Sequence, residues 1–97
     1  MADYVLSERA RKDLIGIANY TKEEWSEEQA EKYIRMLLTE CGELARRPPA
    51  NQLYETIRPG LHGYPCGRHV IFYRFLTQGC VRIVRVLHGR MDFPRHL

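Results

Sequence analysis

The sequence predicts an α+β domain with elements in the order β-α-α-β-β-β, a helical hairpin packed on one face of a small antiparallel sheet. Three observations predict it. Apolar residues recur at helical spacing through most of the first half; two serines stand where helices would begin; and after residue 56 the texture changes to short β-branched and aromatic runs broken by Gly and Pro. With 97 residues, the chain suits a single domain spanning residues 1–97.

Tyr4, Val5 and Leu6 form a short apolar run, read as a strand, and Ser7 after them is placed to cap a helix. In that helix, expected to reach about Glu24, Ala10, Leu14, Ile17 and Ala18 make one stripe. Ser26 with Gln29 three residues on is a capping-box pattern, and a second helix follows it. Ala30, Tyr33, Ile34, Leu37, Leu38, Cys41, Leu44 and Ala45 keep helical spacing until Pro48 and Pro49 forbid continuation. The link around Trp25 is so short that the two helices must form an antiparallel hairpin.

A polar loop is expected from Pro48 to about Thr56, with Asn51 able to take a left-handed turn. Three strands are expected after it, at Ile57 to His62, Arg68 to Phe75 and Cys80 to His88. Turn or edge signals lie at Arg58-Pro59-Gly60 and Tyr64-Pro65-Cys66-Gly67, and Thr77-Gln78-Gly79 reads as a hairpin loop. By strict alternation Val81, Ile83 and Leu87 of the last strand point one way and Val84 and Val86 the other. Helices cover only one face, so the second must be covered by the tail after His88, by another molecule, or by both.

No run free of Lys, Arg, Asp and Glu exceeds nine residues, and the start lacks a signal-peptide layout, so a soluble protein without membrane association is expected. Three cysteines, Cys41, Cys66 and Cys80, with no C-x-x-C, point to a reducing compartment, the cytoplasm. The net charge of +3 is polarised. From Ile57 onward seven arginines face one acid, Asp92, a net +6, which leaves −3 for the first 56 residues. The C-terminal half should therefore lead the approach to polyanions or acidic proteins.

No nucleophile motif, phosphate-cradling loop or dinucleotide fingerprint is present, and no cofactor is expected. His62, Cys66 and His69 stand at H-x3-C-x2-H, but the spacing straddles a turn containing Pro65 and matches no standard knuckle, so no metal site is expected. What remains is a cluster of His69, Tyr73, Arg85, His88, Arg90 and Arg95. Such groups suit RNA chemistry, with a base, an acid and cations for the phosphate. They suit equally a binding surface without catalysis, or a polar rim alone.

The sequence resembles the ParE toxins of the ParE/RelE superfamily. The resemblance rests on Tyr4 to Ser7, Ala10, Asp13 and Leu14, Ile17 through Trp25, Gln29 and Ala30, and Leu44 and Ala45 before Pro48. More specific are Arg58 to Gly60, Gly67 to Arg74, Ile83 to Asp92 and the ending Arg95-His96-Leu97. It implies the toxin of a type II toxin–antitoxin pair that inhibits DNA gyrase and is neutralised by a ParD-type antitoxin. RelE-type relatives cut messenger RNA in the ribosome instead, with strand-borne basic residues and commonly a C-terminal tyrosine. Here the segment after His88 has only Phe93, which lacks a hydroxyl; His69-Val70 stand where an arginine is usual; and the loop before Arg58 has no lysine. A non-enzymatic toxin is expected, the alternatives being a ribosome-dependent endoribonuclease and a degenerate toxin that only binds antitoxin and represses its operon.

On this basis His69, Tyr73, Arg85, His88, Arg90, Met91, Phe93 and Arg95 are expected to meet the target. The tail from Gly89 supplies Met91 and Phe93 as apolar anchors, although the same residues would equally serve as a lid on the sheet, and Pro94 should stop it continuing as helix or strand. Arg58, Arg74 and Arg82, with Leu14 and Ile17, are expected to bind the antitoxin, whose tail would fold around the domain. DNA contact is expected only indirectly, through antitoxin or gyrase.

Overall fold

The computed structural model describes residues 3–46, 52–54, 57–77 and 79–97. Strand β1 (Tyr4–Leu6) leads into helices α1 (Glu8–Glu24) and α2 (Glu27–Leu44), then β2 (Gln52–Leu53), β3 (His62–Cys66), β4 (His69–Thr77), β5 (Cys80–His88) and a single-turn helix α3 (Phe93–His96). The sheet runs β1-β5-β4-β3-β2. It is mixed rather than wholly antiparallel, because β1 lies parallel to β5 while the other pairs are antiparallel. The α1 crossover after β1 makes that direction accessible.

Both serines cap as expected. Ser7 Oγ accepts from Ala10 N at 3.0 Å and donates to Val84 O at 2.7 Å, so it starts α1 and ties it to β5. Ser26 Oγ accepts from Gln29 N at 3.0 Å, and the two-residue link Trp25-Ser26 returns the chain as an antiparallel hairpin. Ala10, Leu14, Leu37, Cys41 and Leu44 of the helices meet Ile71, Tyr73, Val81, Ile83 and Val86 of the sheet in the main core.

Strict alternation fails in β5. Phe72 pairs with Arg85 and Tyr73 with Ile83, so Val84 is an extra residue, a β-bulge that resets the facing of everything after it. Val86, not Leu87, joins Val81 and Ile83 beneath the helices, and Leu87 joins Val84 on the second face.

The strand expected from Ile57 is instead a turn: Tyr54 O accepts from Ile57 N and Arg58 N, and Arg58 O from Leu61 N. Strand β3 begins at His62 and runs through the segment read as a turn. Among the described residues β2 pairs with His62 and Gly63 and not with Pro65, so no described partner calls for the N–H that Pro65 lacks. The actual reversal is Gly67-Arg68, with Gly67 at φ +62°. A Cβ at Gly67 would lie 2.7 Å from Tyr33 Oη, so both the turn and the passage of α2 demand glycine. The expected loop from Pro48 to Thr56 lies mostly outside the described residues, as do Asn51 and the hairpin residue Gln78; where described, that loop contributes β2.

The second sheet face is covered in part by this chain itself, while Arg74 and Arg82 stand exposed on it. Leu61, Val70, Phe72 and Leu87 are buried there under Tyr54, Ile57, Phe93 and Leu97. Pro94 does not prevent a helix, since it lies in the first turn of α3, where its missing N–H costs nothing.

Candidate functional site

Two surfaces flank Arg85, which lines both. The first is a groove of ≈ 690 Å³ between α1, the start of α2 and the His69 and His88 ends of β4 and β5. One wall carries Ile17, Tyr20 and Trp25, and Met91 stands on the other side. Tyr20 is 64% and Trp25 65% exposed, a large apolar investment outside the core. The Arg68 guanidinium lies 6.0 Å from the Trp25 ring centre and shields part of it.

His69 and His88 are direct cross-strand partners with ring centroids 5.4 Å apart. Tyr33 Oη lies 2.6 Å from His69 Nδ1 and accepts from Arg68 N at 3.0 Å, fixing the imidazole, the β3–β4 turn and α2 to one another. Burial lowers the His69 pKa, helped by neighbouring His88 and Arg68 and opposed by Asp13, so the neutral ring is favoured. Burial also raises the Tyr33 pKa. His88 Nδ1 accepts from Arg90 N at 3.2 Å.

Arg85 is not a free cation. Its Nε and Nη2 donate to Asp13 Oδ2 and Oδ1 at 2.8 and 2.9 Å, and Nη1 donates to His96 O at 2.6 Å. Asp13 Oδ2 also accepts from Val86 N at 2.9 Å. Beyond Leu6 this edge of β5 has no strand partner among the described residues, and Asp13 closes it by accepting from Val86 N while Arg85 pins the tail to α1. The fork with Asp13 raises the Arg85 pKa further.

Of the residues expected to meet a target, His69, His88, Arg85 and Met91 line this groove. Tyr73 does not, because it is 1% exposed and stacked on His62 in the core. Phe93 points to the opposite face, 4.9 Å from Phe72 and 6.0 Å from Tyr54 in edge-on contacts. Arg90 and Arg95 are exposed on the tail, Arg95 lying 3.9 Å from Asp92. Periodicity does not single out Asp13, Tyr20, Trp25 or Tyr33 as site residues. Tyr20 and Trp25 carry a signal, being large aromatics outside the apolar stripe of the first helix, whereas Tyr33 belongs to the stripe of the second.

The second surface is a smaller pocket of ≈ 250 Å³ that gathers Arg9, Arg58, Arg74 and Arg82 around Val84. Of the five residues expected to bind an antitoxin, the three arginines thus sit together, Ile17 lies in the groove, and Leu14, 7% exposed, belongs to the core. Among the described residues no three His, Cys, Asp or Glu side chains converge as metal ligands, and no helix is long and apolar enough to cross a membrane. Cys41 and Cys66 are buried thiols; burial pushes Cys41 up to about 12 and Cys66 upward as well, which makes them inert.

Residues 4–93 match the family model described as ParE toxin of type II toxin-antitoxin system, parDE. The chain is 38% identical over 94 residues to Toxin ParE1 of Mycobacterium tuberculosis, covering 97% of this chain and 96% of that protein. It is 39% identical over 97 residues to Toxin ParE1 of Caulobacter vibrioides, covering 100% and 99%. A solved chromosomal ParDE TA system from P. aeruginosa contains a chain of the same fold, with a TM-score of 0.73, 16% identity and coverage of 91% of this chain and 96% of that one.

Proposed function

Since the chain belongs to the ParE toxin family of type II toxin–antitoxin systems, we propose that it acts by binding DNA gyrase without catalysis and that a ParD-type antitoxin neutralises it. The observation that carries the non-catalytic part is the Arg85–Asp13 fork. RNA cleavage needs a cation free to meet the charge that develops on the phosphate. The one arginine that β5 supplies to the groove, on the strand that also carries His88, is neutralised by a carboxylate gripping it at 2.8 and 2.9 Å, which leaves the groove's other cations, Lys12 and Arg68, at its margin. Tyr33, the hydroxyl beside His69, is engaged by the Arg68 amide, and Phe93, with no hydroxyl at all, lies across the sheet.

The groove suits the apolar face of a partner segment. Ile17, Tyr20, Trp25 and Met91 offer anchors, with Lys12 and Arg68 at the margin for acidic residues. An antitoxin tail seated there would also cover His69 and His88, so antitoxin and target would compete. The work of the toxin would then take place in the cytoplasm, where gyrase is.

Expression of the chain without antitoxin tests this. Filamented cells with broken DNA and intact messenger RNA are expected. Messenger RNA cut at defined codons would replace this function with that of a ribosome-dependent nuclease.

A further inference from the structure

Arg74 and Arg82 are direct cross-strand partners in the β4–β5 ladder, and both are exposed on the same side of the sheet. Like charges placed opposite each other destabilise an antiparallel pair, so an unaided fold has nothing to gain from this pairing. The turn after Tyr54 adds Arg58, and the first turn of α1 adds Arg9. Among the described residues no carboxylate makes an ion pair with any of the four. Glu8, which also lines the pocket, is held by Arg11 at 2.9 Å, and Asp13 is held by Arg85.

The occupant that resolves this repulsion is an anion, and the surroundings indicate its kind. An acidic peptide would need apolar anchors beside its carboxylates to bind well. Beside these arginines stand only the small side chains of part-buried Val84 and of Val5, the partner of Arg82 in β1, whereas the large apolar anchors Tyr20, Trp25 and Met91 stand in the groove. A phosphate needs none, because several guanidinium forks bind it through charge-assisted hydrogen bonds alone. Strands β4 and β5 hold two of those forks on a rigid base.

We infer that Arg9, Arg58, Arg74 and Arg82 form a docking site for the phosphodiester backbone of duplex DNA, so that this chain touches DNA directly. This departs from the expectation that DNA is met only through another protein. The recognition is of phosphates and is indifferent to base sequence. It concerns the free chain and a duplex alone, so it stands or falls separately from the choice of gyrase as target.

The test is fluorescence anisotropy of a labelled duplex of arbitrary sequence with the purified full chain, across a potassium chloride series. Contact with three to four phosphates gives a slope of log affinity against log salt of about −3. Arg74→Gln/Arg82→Gln should reduce that slope by about 2 and weaken binding roughly 50-fold at ~0.1 M salt. Its melting temperature should hold or rise, because a like-charge pair has gone. If it fails to fold, Arg9→Gln/Arg58→Gln, off the central strands, serves instead. Lys32→Gln/Arg35→Gln removes the same charge from α2 and should change affinity by no more than about threefold. Equal losses in both pairs would reduce the effect to net charge and overturn the site. Binding of a polyglutamate peptide with no measurable duplex binding would overturn it in favour of an acidic protein partner.

Discussion

Phe93 shows how the sheet's second face is sealed, and its removal has a calculable consequence. The ring packs on the buried cluster of Leu61, Val70, Phe72 and Leu87, edge-on to Phe72 at 4.9 Å and to Tyr54 at 6.0 Å. Truncating a fully buried Phe to Ala costs about 3–5 kcal/mol. Phe93 is only partly buried, so roughly half of that, ~2 kcal/mol, is expected, with ~1 kcal/mol of it from the two edge-on aromatic contacts. In a domain this size ~2 kcal/mol lowers the melting temperature by about 8–16 °C. Phe93→Leu, which refills most of the volume, should recover more than half of the loss. Thermal unfolding by circular dichroism reads both variants, with antitoxin binding and gyrase inhibition measured below their melting temperatures. The packing assigned to Phe93 would be refuted if Phe93→Ala melted like the parent chain while losing gyrase inhibition. The ring would then be a contact for the target and not a lid.

Asp13→Ala should destabilise the chain by about 2–3 kcal/mol, since it strands Arg85 and the Val86 N–H at a site where the paired side chains are only 14–16% exposed. In urea unfolding, a cycle with Arg85→Ala should show coupling of at least ~1 kcal/mol; a coupling near zero would contradict the fork. Ser7→Ala should cost about 1–2 kcal/mol and Ser26→Ala roughly half as much, because Ser7 both caps α1 and bonds Val84 across the fold whereas Ser26 caps alone; the reverse order by chemical denaturation would refute this account of Ser7. His69 has a folded-state pKa below its ordinary 6.5, so the unfolded chain binds the extra proton first. Its contribution is complete above that value and is lost as pH falls below it. His69→Gln should flatten the pH dependence of stability in that window, and an unchanged profile would show that His69 does not drive it.

Much of this architecture is legible in the residues. Ser7, Ser26 and the spacing that follows each define both helices, because capping and periodicity are local properties. The bulge at Val84 is not legible: alternation assumes an unbroken ladder, and what breaks it here is the register against Phe72 and Tyr73, a non-local fact. Pro65 leaves two readings open for a related reason. In isolation it signals a turn or a strand edge, and only the pairing of Pro65 with Val70 across β3 and β4 decides for the strand. The charge of Arg58, Arg74 and Arg82 is plain in the sequence, yet that they gather in one pocket while Ile17 lines another groove follows only from the pairing of β4 with β5 and the packing of α1. Arg85 reads as a free cation until α1 brings Asp13 against it across 72 positions of sequence.

The most direct test of the central claim uses purified chain, purified gyrase and supercoiled plasmid with ATP. A non-catalytic gyrase poison should convert the plasmid to linear, gyrase-linked DNA as toxin is added, an equimolar ParD-type antitoxin should abolish this, and purified ribosomes given the same toxin should leave messenger RNA whole. Undiminished supercoiling at every toxin concentration, together with messenger RNA cleavage on those ribosomes, would contradict the account.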